Sequence, residues 1–194
     1  MVKTSYVSES LEIPNGVEVK IENNSMISVK GPNGGPIIKD FSHAIRGIEL
    51  KIEDKKVKFT SHFPKTKTIA LIHTIISIVK NLIIGVQNNY KYFSKVCFIH
   101  FPCSVKIDKS KKTIFVENFC GERAPRKSKY PDNIDVEVEG DDVTFIGPDK
   151  EALGTAAARL QKCCKIKKKD PRVFQDGVYL YKIQIGNEII WQIK

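Results

Sequence analysis

The chain repeats itself, and no other feature limits its fold so strongly. Three segments of the first half recur, in order, in the second. Ile13-Pro14-Asn15-Gly16-Val17-Glu18-Val19 matches Phe101-Pro102-Cys103-Ser104-Val105-Lys106-Ile107 at an offset of 88 residues. Ile27-Ser28-Val29 matches Ile114-Phe115-Val116 at an offset of 87. Ile48-Glu49-Leu50-Lys51-Ile52-Glu53, followed by Val57-Lys58-Phe59, matches Ile134-Asp135-Val136-Glu137-Val138-Glu139, followed by Val143-Thr144-Phe145, at 86. Collinear matches with drifting offsets are the mark of a duplication with small insertions. The boundary is expected near Tyr90, giving residues 1–90 and 91–194 as two tandem homologous domains. Each is long enough to hold a modest core.

The same elements are predicted in each copy. Strict alternation in Val17-Glu18-Val19-Lys20-Ile21 and in Ile48-Glu49-Leu50-Lys51-Ile52 has a period of two and reads as half-buried strand. Asn23-Asn24 and Asp54-Lys55-Lys56 supply hairpin turns between paired apolar runs. Antiparallel pairing with one wet face fits this alternation. A helix follows each set. Ile72, Ile75, Ile76, Val79, Leu82 and Ile83 recur at helical spacing, with Gly85 as the expected stop. The second helix is predicted over Lys150 to Cys164, with Ala152, Leu153, Ala156, Ala157 and Leu160 on one stripe and Asp149 at its start. The expected class is α+β, each domain a small antiparallel sheet packed against one main helix. The first helix is apolar around most of its circumference. Two readings stay open for it: a thick core of its own domain, or a second surface packed outside it.

Charge then narrows the partners. Lys and Arg number 32 against 22 Asp and Glu, a formal charge of +10. That surplus favours a polyanion, nucleic acid before an anionic membrane. The apolar stretch Ile69 to Val86 is interrupted by His73, Lys80 and Asn81, short of a clean membrane span. The start, Met1-Val2-Lys3-Thr4-Ser5-Tyr6-Val7, lacks a secretion signal's apolar core. Five cysteines (Cys97, Cys103, Cys120, Cys163, Cys164) without C-x-x-C spacing read as free thiols in a reducing compartment.

The surplus is shared, with a net +4 over residues 1–90 and +6 over 91–194, but only the second domain carries dense runs. One includes Arg123, Arg126, Lys127 and Lys129. The other includes Lys162, Lys165, Lys167, Lys168, Lys169 and Arg172, diluted by Asp170. Pairing Gly85-Val86 with Gly177-Val178 at an offset of 92 assigns six extra residues to this interval, where inserted loops tend to reach the surface. Cations on loops suit phosphate contacts, which set affinity without reading bases. Tyr130, Phe174 and Tyr179 lie near the charge as candidates for base stacking, with core packing the stronger reading for Phe174 and Tyr179. Catalysis has little support. His43, His62, His73 and His100 are scattered, and Gly31-Pro32-Asn33-Gly34-Gly35-Pro36 lacks the Gly-Lys-Ser/Thr ending of a P-loop and reads as an exposed turn. No enzyme, catalytic residue, metal, cofactor or small-molecule substrate is expected.

Several segments together resemble a known family. They are Val29-Lys30-Gly31-Pro32-Asn33-Gly34, Asp40-Phe41, His100-Phe101-Pro102, Asn118-Phe119-Cys120-Gly121-Glu122, and above all Lys169-Asp170-Pro171-Arg172-Val173-Phe174-Gln175-Asp176-Gly177-Val178-Tyr179-Leu180. The last is similar to the archaeal and eukaryotic Arg-x-Phe-x-Asp-Gly-aliphatic-Tyr core of the universal large-subunit ribosomal protein family, called number six in bacteria and number nine in eukaryotes. The chain departs from that pattern where Lys162 replaces an opening glutamine, with Gln161 adjacent, and where Ile183 replaces a basic residue, with Lys182 adjacent. The tail from Ile183 to Lys194 is more apolar than the pattern and reads as a hairpin around Gly186-Asn187. The resemblance implies a structural constituent of the large ribosomal subunit in the cytoplasm, acting in translation. Its partners would be ribosomal RNA and neighbouring proteins at the base of the factor-binding stalk. It implies that Arg172 and the lysines before it meet the RNA backbone, that Asp176 and Gly177 shape the turn presenting them, and that the Arg123 to Lys129 loop extends along the same RNA. A free-standing RNA-binding regulator of the same fold is the alternative.

Overall fold

The computed structural model describes residues 5–167, 169, 170 and 172–193. The chain divides between Asn88 and Asn89 into two compact units. Unit one runs β1 (Tyr6–Glu12), β2 (Glu18–Glu22), β3 (Met26–Gly31), β4 (Gly34–Asp40), β5 (Glu49–Glu53), β6 (Lys56–His62) and α1 (Thr66–Gln87). Unit two runs β7 (Tyr90–Cys97), β8 (Ser104–Asp108), β9 (Thr113–Glu117), β10 (Arg126–Lys129), β11 (Asp135–Glu139), β12 (Asp142–Gly147), α2 (Lys150–Cys163), β13 (Gly177–Ile185) and β14 (Glu188–Gln192). Every strand pairing is antiparallel.

The α+β class holds, and each unit divides its strands between two sheets. Unit one has β2-β3-β4 and β1-β6-β5; unit two has β8-β9-β10 and β11-β12-β7-β13-β14. The repeat is visible in topology: β1 to β6 and β7 to β12 follow one path, each ending in a helix. Turn chemistry fixes the hairpins. Asn23 and Asn24 take φ of 50° and 52° between β2 and β3, and Asp54 and Lys55 take 48° and 59° between β5 and β6. Positive φ at both central residues matches the right-handed strand twist. Gly186, at φ 54°, turns β13 into β14 as the tail pattern predicts.

One stripe of the wide apolar face of α1 is covered inside its own unit, while Leu71 stays 39% exposed. The helix packs on β3 and β4 of one sheet and on β1 of the other, burying Ile72, Ile75, Val79, Leu82 and Val86. Phe59 and Phe145, partners in the repeat, are both fully buried. Gly85 does not end α1: it lies inside the helix without a left-handed φ, and the stop comes at Asn88, whose N–H bonds the Ile84 carbonyl. His73, Lys80 and Asn81 do not disqualify the helix by composition either. It is long and apolar enough to cross a membrane, its most apolar 18 residues having a mean hydropathy of 2.0, but its buried stripe forms the core of unit one.

α2 starts as predicted, its first turn capped by the Asp149 carboxylate accepting from the Glu151 N–H at 3.0 Å. Leu153, Ala156, Ala157 and Leu160 are buried. This helix has 14 residues against the 22 of α1. The basic segment 164–176 therefore replaces the last turns of the helix rather than adding six residues beyond it. Gly177, which opens β13, corresponds to the start of β7 and not to Gly85.

Candidate nucleic-acid interface

The first basic run lies on β10 and the loop before it. A strand turns successive side chains to opposite faces. Arg126 and Ser128 accordingly point inward, while Lys127 and Lys129 point to solvent. Arg126 is therefore not a free cation. Its Nε and Nη2 donate to the two Glu122 carboxylate oxygens at 2.8 and 2.5 Å, and its Nη1 donates to the carbonyls of Cys163 and Lys165 at 2.8 and 2.9 Å. Four of the five N–H donors of a guanidinium are thus committed within the fold. The group also lies 4.3 Å from the Phe119 ring centroid. Its hydrogen bonds hold the Glu122 carboxyl below the usual carboxylate range. The carbonyls it meets belong to the negative end of α2, where a cation is favoured. The Cys163 thiol adds a contact at 3.4 Å to the Lys127 carbonyl.

The second run leaves that same helix end. Lys162 occupies the last turn of α2, and Lys165, Lys167, Lys169 and Arg172 follow as exposed residues. Lys168 lies outside the described residues. Asp170 organises the loop: its carboxylate accepts from the Arg172 N–H at 2.9 Å, and its carbonyl accepts from the Phe174 N–H at 3.0 Å. The Lys169 ammonium sits 4.3 Å from the Phe174 ring centroid, and that ring stacks on His100 at 4.5 Å and 28°.

Asp176 and Gly177 work differently from turn formers. Asp176 is 2% exposed and accepts from the Ile99 N–H at 2.6 Å. The Cys120 thiol and the His100 Nδ1 each lie 3.7 Å from its second oxygen. One carboxylate thereby ties Ile99 and His100 and the short helical turn Phe119–Gly121 to the start of β13. Gly177 is required by close approach: a Cβ there would stand 2.9 Å from the Tyr179 ring. That ring folds back so that Tyr179 Oη donates to the Gln175 carbonyl at 3.1 Å. The aromatics sort against expectation. Tyr130 is buried in the core, Phe174 is half-buried, and Tyr179 is 40% exposed.

The two runs are brought together at the C-terminal end of α2 by bonds between residues 37 and 39 positions apart. Among the described residues, the side chains of Arg123, Lys127, Lys129, Lys162, Lys165, Lys167 and Arg172 enter no ion pair. In unit one, by contrast, Lys51, Lys56 and Lys58 pair with Glu49, Glu12 and Glu53 at 3.5, 2.7 and 2.5 Å. The described residues contain no group of three or more His, Cys, Asp or Glu placed to hold a metal. All five cysteines are free; burial pushes the Cys164 thiol up to about 12 and raises those of Cys103, Cys120 and Cys163.

Comparison with known proteins agrees with this duplicated architecture. The family model described as ribosomal protein L6 matches twice, over residues 13–89 and 101–177. The chain is 41% identical over 180 residues to large ribosomal subunit protein uL6 of Methanobrevibacter smithii, covering 93% of this chain and 98% of that one. It is 37% identical over 182 residues to the same protein of Desulfurococcus amylolyticus, covering 94% and 97%. Against that of Sulfurisphaera tokodaii it is 39% identical over 188 residues, covering 96% and 98%.

Proposed function

The chain belongs to the ribosomal protein L6 family, and on that premise we propose that unit two grips ribosomal RNA through the cations gathered at the C-terminal end of α2. The family is one of structural constituents of the large ribosomal subunit rather than of enzymes. The finer reading is that this chain sits near the base of the factor-binding stalk of cytoplasmic ribosomes, beside neighbouring ribosomal proteins. Arg123, Lys127, Lys129, Lys162, Lys165, Lys167, Lys169 and Arg172 would face phosphates there. Arg126 is left out of that set because its guanidinium is bonded internally.

One observation carries the reading: two cationic runs separated in sequence meet at one helix end, and among the described residues their outward lysines enter no ion pair. Like charges gathered on one exposed surface create a positive potential that attracts a polyanion. A lysine contributes a strongly hydrated point charge, suited to phosphate without a bidentate requirement.

The test is a charge series in the full chain. Changing Lys127, Lys129, Lys165 and Lys167 to Gln is expected to weaken binding to large-subunit RNA and to lower the log–log salt slope by about one per contact removed. The mutant should also be depleted from large subunits sedimented from cell extract. Lys51, Lys56 and Lys58 changed together to Gln, in unit one, should do neither. Equal incorporation of the two variants would reject the assignment.

A further inference from the structure

A groove of about 500 Å³ runs between the end of α2 and the segment that opens β13. Its size is within the range of small-ligand clefts. Ile166 and Val178 give it apolar lining, and Lys162 and Lys165 line it from the helix side. Gln161 and Tyr179 line it too, while the Gln175 amide, also at its wall, donates to the Arg172 carbonyl at 3.3 Å. The Tyr179 ring is held in place by its hydroxyl bond to the Gln175 carbonyl and by its seat over Gly177, yet Tyr179 remains 40% exposed. A rigid aromatic face, an apolar slot, an amide group and unpaired ammonium groups form one chemical set.

We propose that this groove takes a single unpaired ribonucleotide, its base against the Tyr179 ring and its phosphates at Lys162 and Lys165. The inference rests on the RNA-contact reading above and deepens it: unit two would recognise an unstacked base as well as a charged backbone. A paired base cannot enter, because its faces are already stacked in the duplex. Unpaired bases, in contrast, stack on aromatic side chains and expose hydrogen-bonding edges. The Gln161 amide would meet such an edge. Charge complementarity alone would also admit an acidic peptide, but a peptide of carboxylates makes no use of a fixed ring.

The experiment uses the full chain and two RNA hairpins of equal length, one carrying a single bulged 2-aminopurine and one fully paired. At salt of about 150 mM, the bulged hairpin is expected to bind about fivefold to a hundredfold more tightly, the range for one stacked base. Its 2-aminopurine emission should be quenched on binding. Tyr179→Leu should erase the preference and leave affinity for the paired hairpin unchanged, whereas Tyr179→Phe should keep both. Equal affinity for the two hairpins without quenching overturns the groove proposal and leaves backbone binding standing. Failure to bind either RNA overturns both readings. Displacement of the bulged hairpin by a polyglutamate peptide of equal charge, lost in Tyr179→Leu, would make the groove a peptide site and overturn the proposal. The quenching measurement needs no variant, so a folding defect in Tyr179→Leu leaves a decisive result.

Discussion

In unit one the last carbonyls of α1 are met by Asn33, on the turn between β3 and β4: its backbone N–H donates to Val86 and its side-chain amide to Gln87. In unit two the last carbonyls of α2 are met by Arg126, at the start of β10, the strand that corresponds to β4. Both copies therefore close the same end of the same helix from the same hairpin. One uses a neutral amide and the other a cation that needs Glu122 as its counterpart. The difference shows where a duplicated scaffold can carry a basic face. In unit two a charged residue is part of the framework, the helix is shorter, and the chain beyond it carries lysines outward. In unit one the turn is held tightly instead, since a Cβ on Gly31 would come within 2.6 Å of Val86.

The comparison can be tested at three depths. The largest effect is expected in the shared core. Phe59→Ala and Phe145→Ala should each cost about 3–5 kcal/mol, measured by denaturant unfolding, and a gap of more than about 2 kcal/mol would break the equivalence of the two cores. Next come the helix closures. Arg126→Ala should cost about 2–4 kcal/mol, because it leaves carbonyls and a carboxylate without their donor, whereas Asn33→Ala should cost about 1 kcal/mol. Comparable losses would show that the cation adds nothing to the closure.

The smallest effect is set by pH. The folded Glu122 carboxyl is held below its ordinary value by Arg126. Its contribution is therefore complete above the ordinary carboxylate range, near pH 4.3, and fades as pH falls through the lowered folded value. Glu122→Gln should lower stability at neutral pH by about 1 kcal/mol or less, given solvent screening of a partly exposed pair. That deficit should vanish in acid. Glu53→Gln, which removes the exposed partner of Lys58 in unit one, should leave the unfolding curve nearly in place at every pH.

Much of the scaffold was legible because its signals are local. Asn23-Asn24 and Asp54-Lys55 can hardly be anything but hairpin turns, and Asp149 before an alanine-rich stripe marks a helix start. Gly85 misled because a glycine near the end of an apolar run resembles a C-cap, while the carbonyls were in fact closed by Asn33, more than fifty residues earlier. The site was legible in composition and opaque in geometry. Counting charge over residues 123–130 puts Arg126 among the surface cations; the period of two in Arg126-Lys127-Ser128-Lys129 separates it from Lys127 and Lys129, and that signal was present in the sequence. No such signal existed for Asp176, whose partner Ile99 lies 77 positions away.

One consequence concerns the order in which the chain is made. β7 lies between β12 and β13, so its second neighbour is supplied only by residues 177–185. Unit one draws its sheets from residues 6–62 and can close early. A nascent chain has to extend about 80 residues past β7 before that strand is covered, roughly 4 to 16 s at ordinary elongation rates. For that interval a bare strand edge is open to mispairing. Unit two thus carries a synthesis-time exposure that the sheets of unit one, complete by residue 62, do not share.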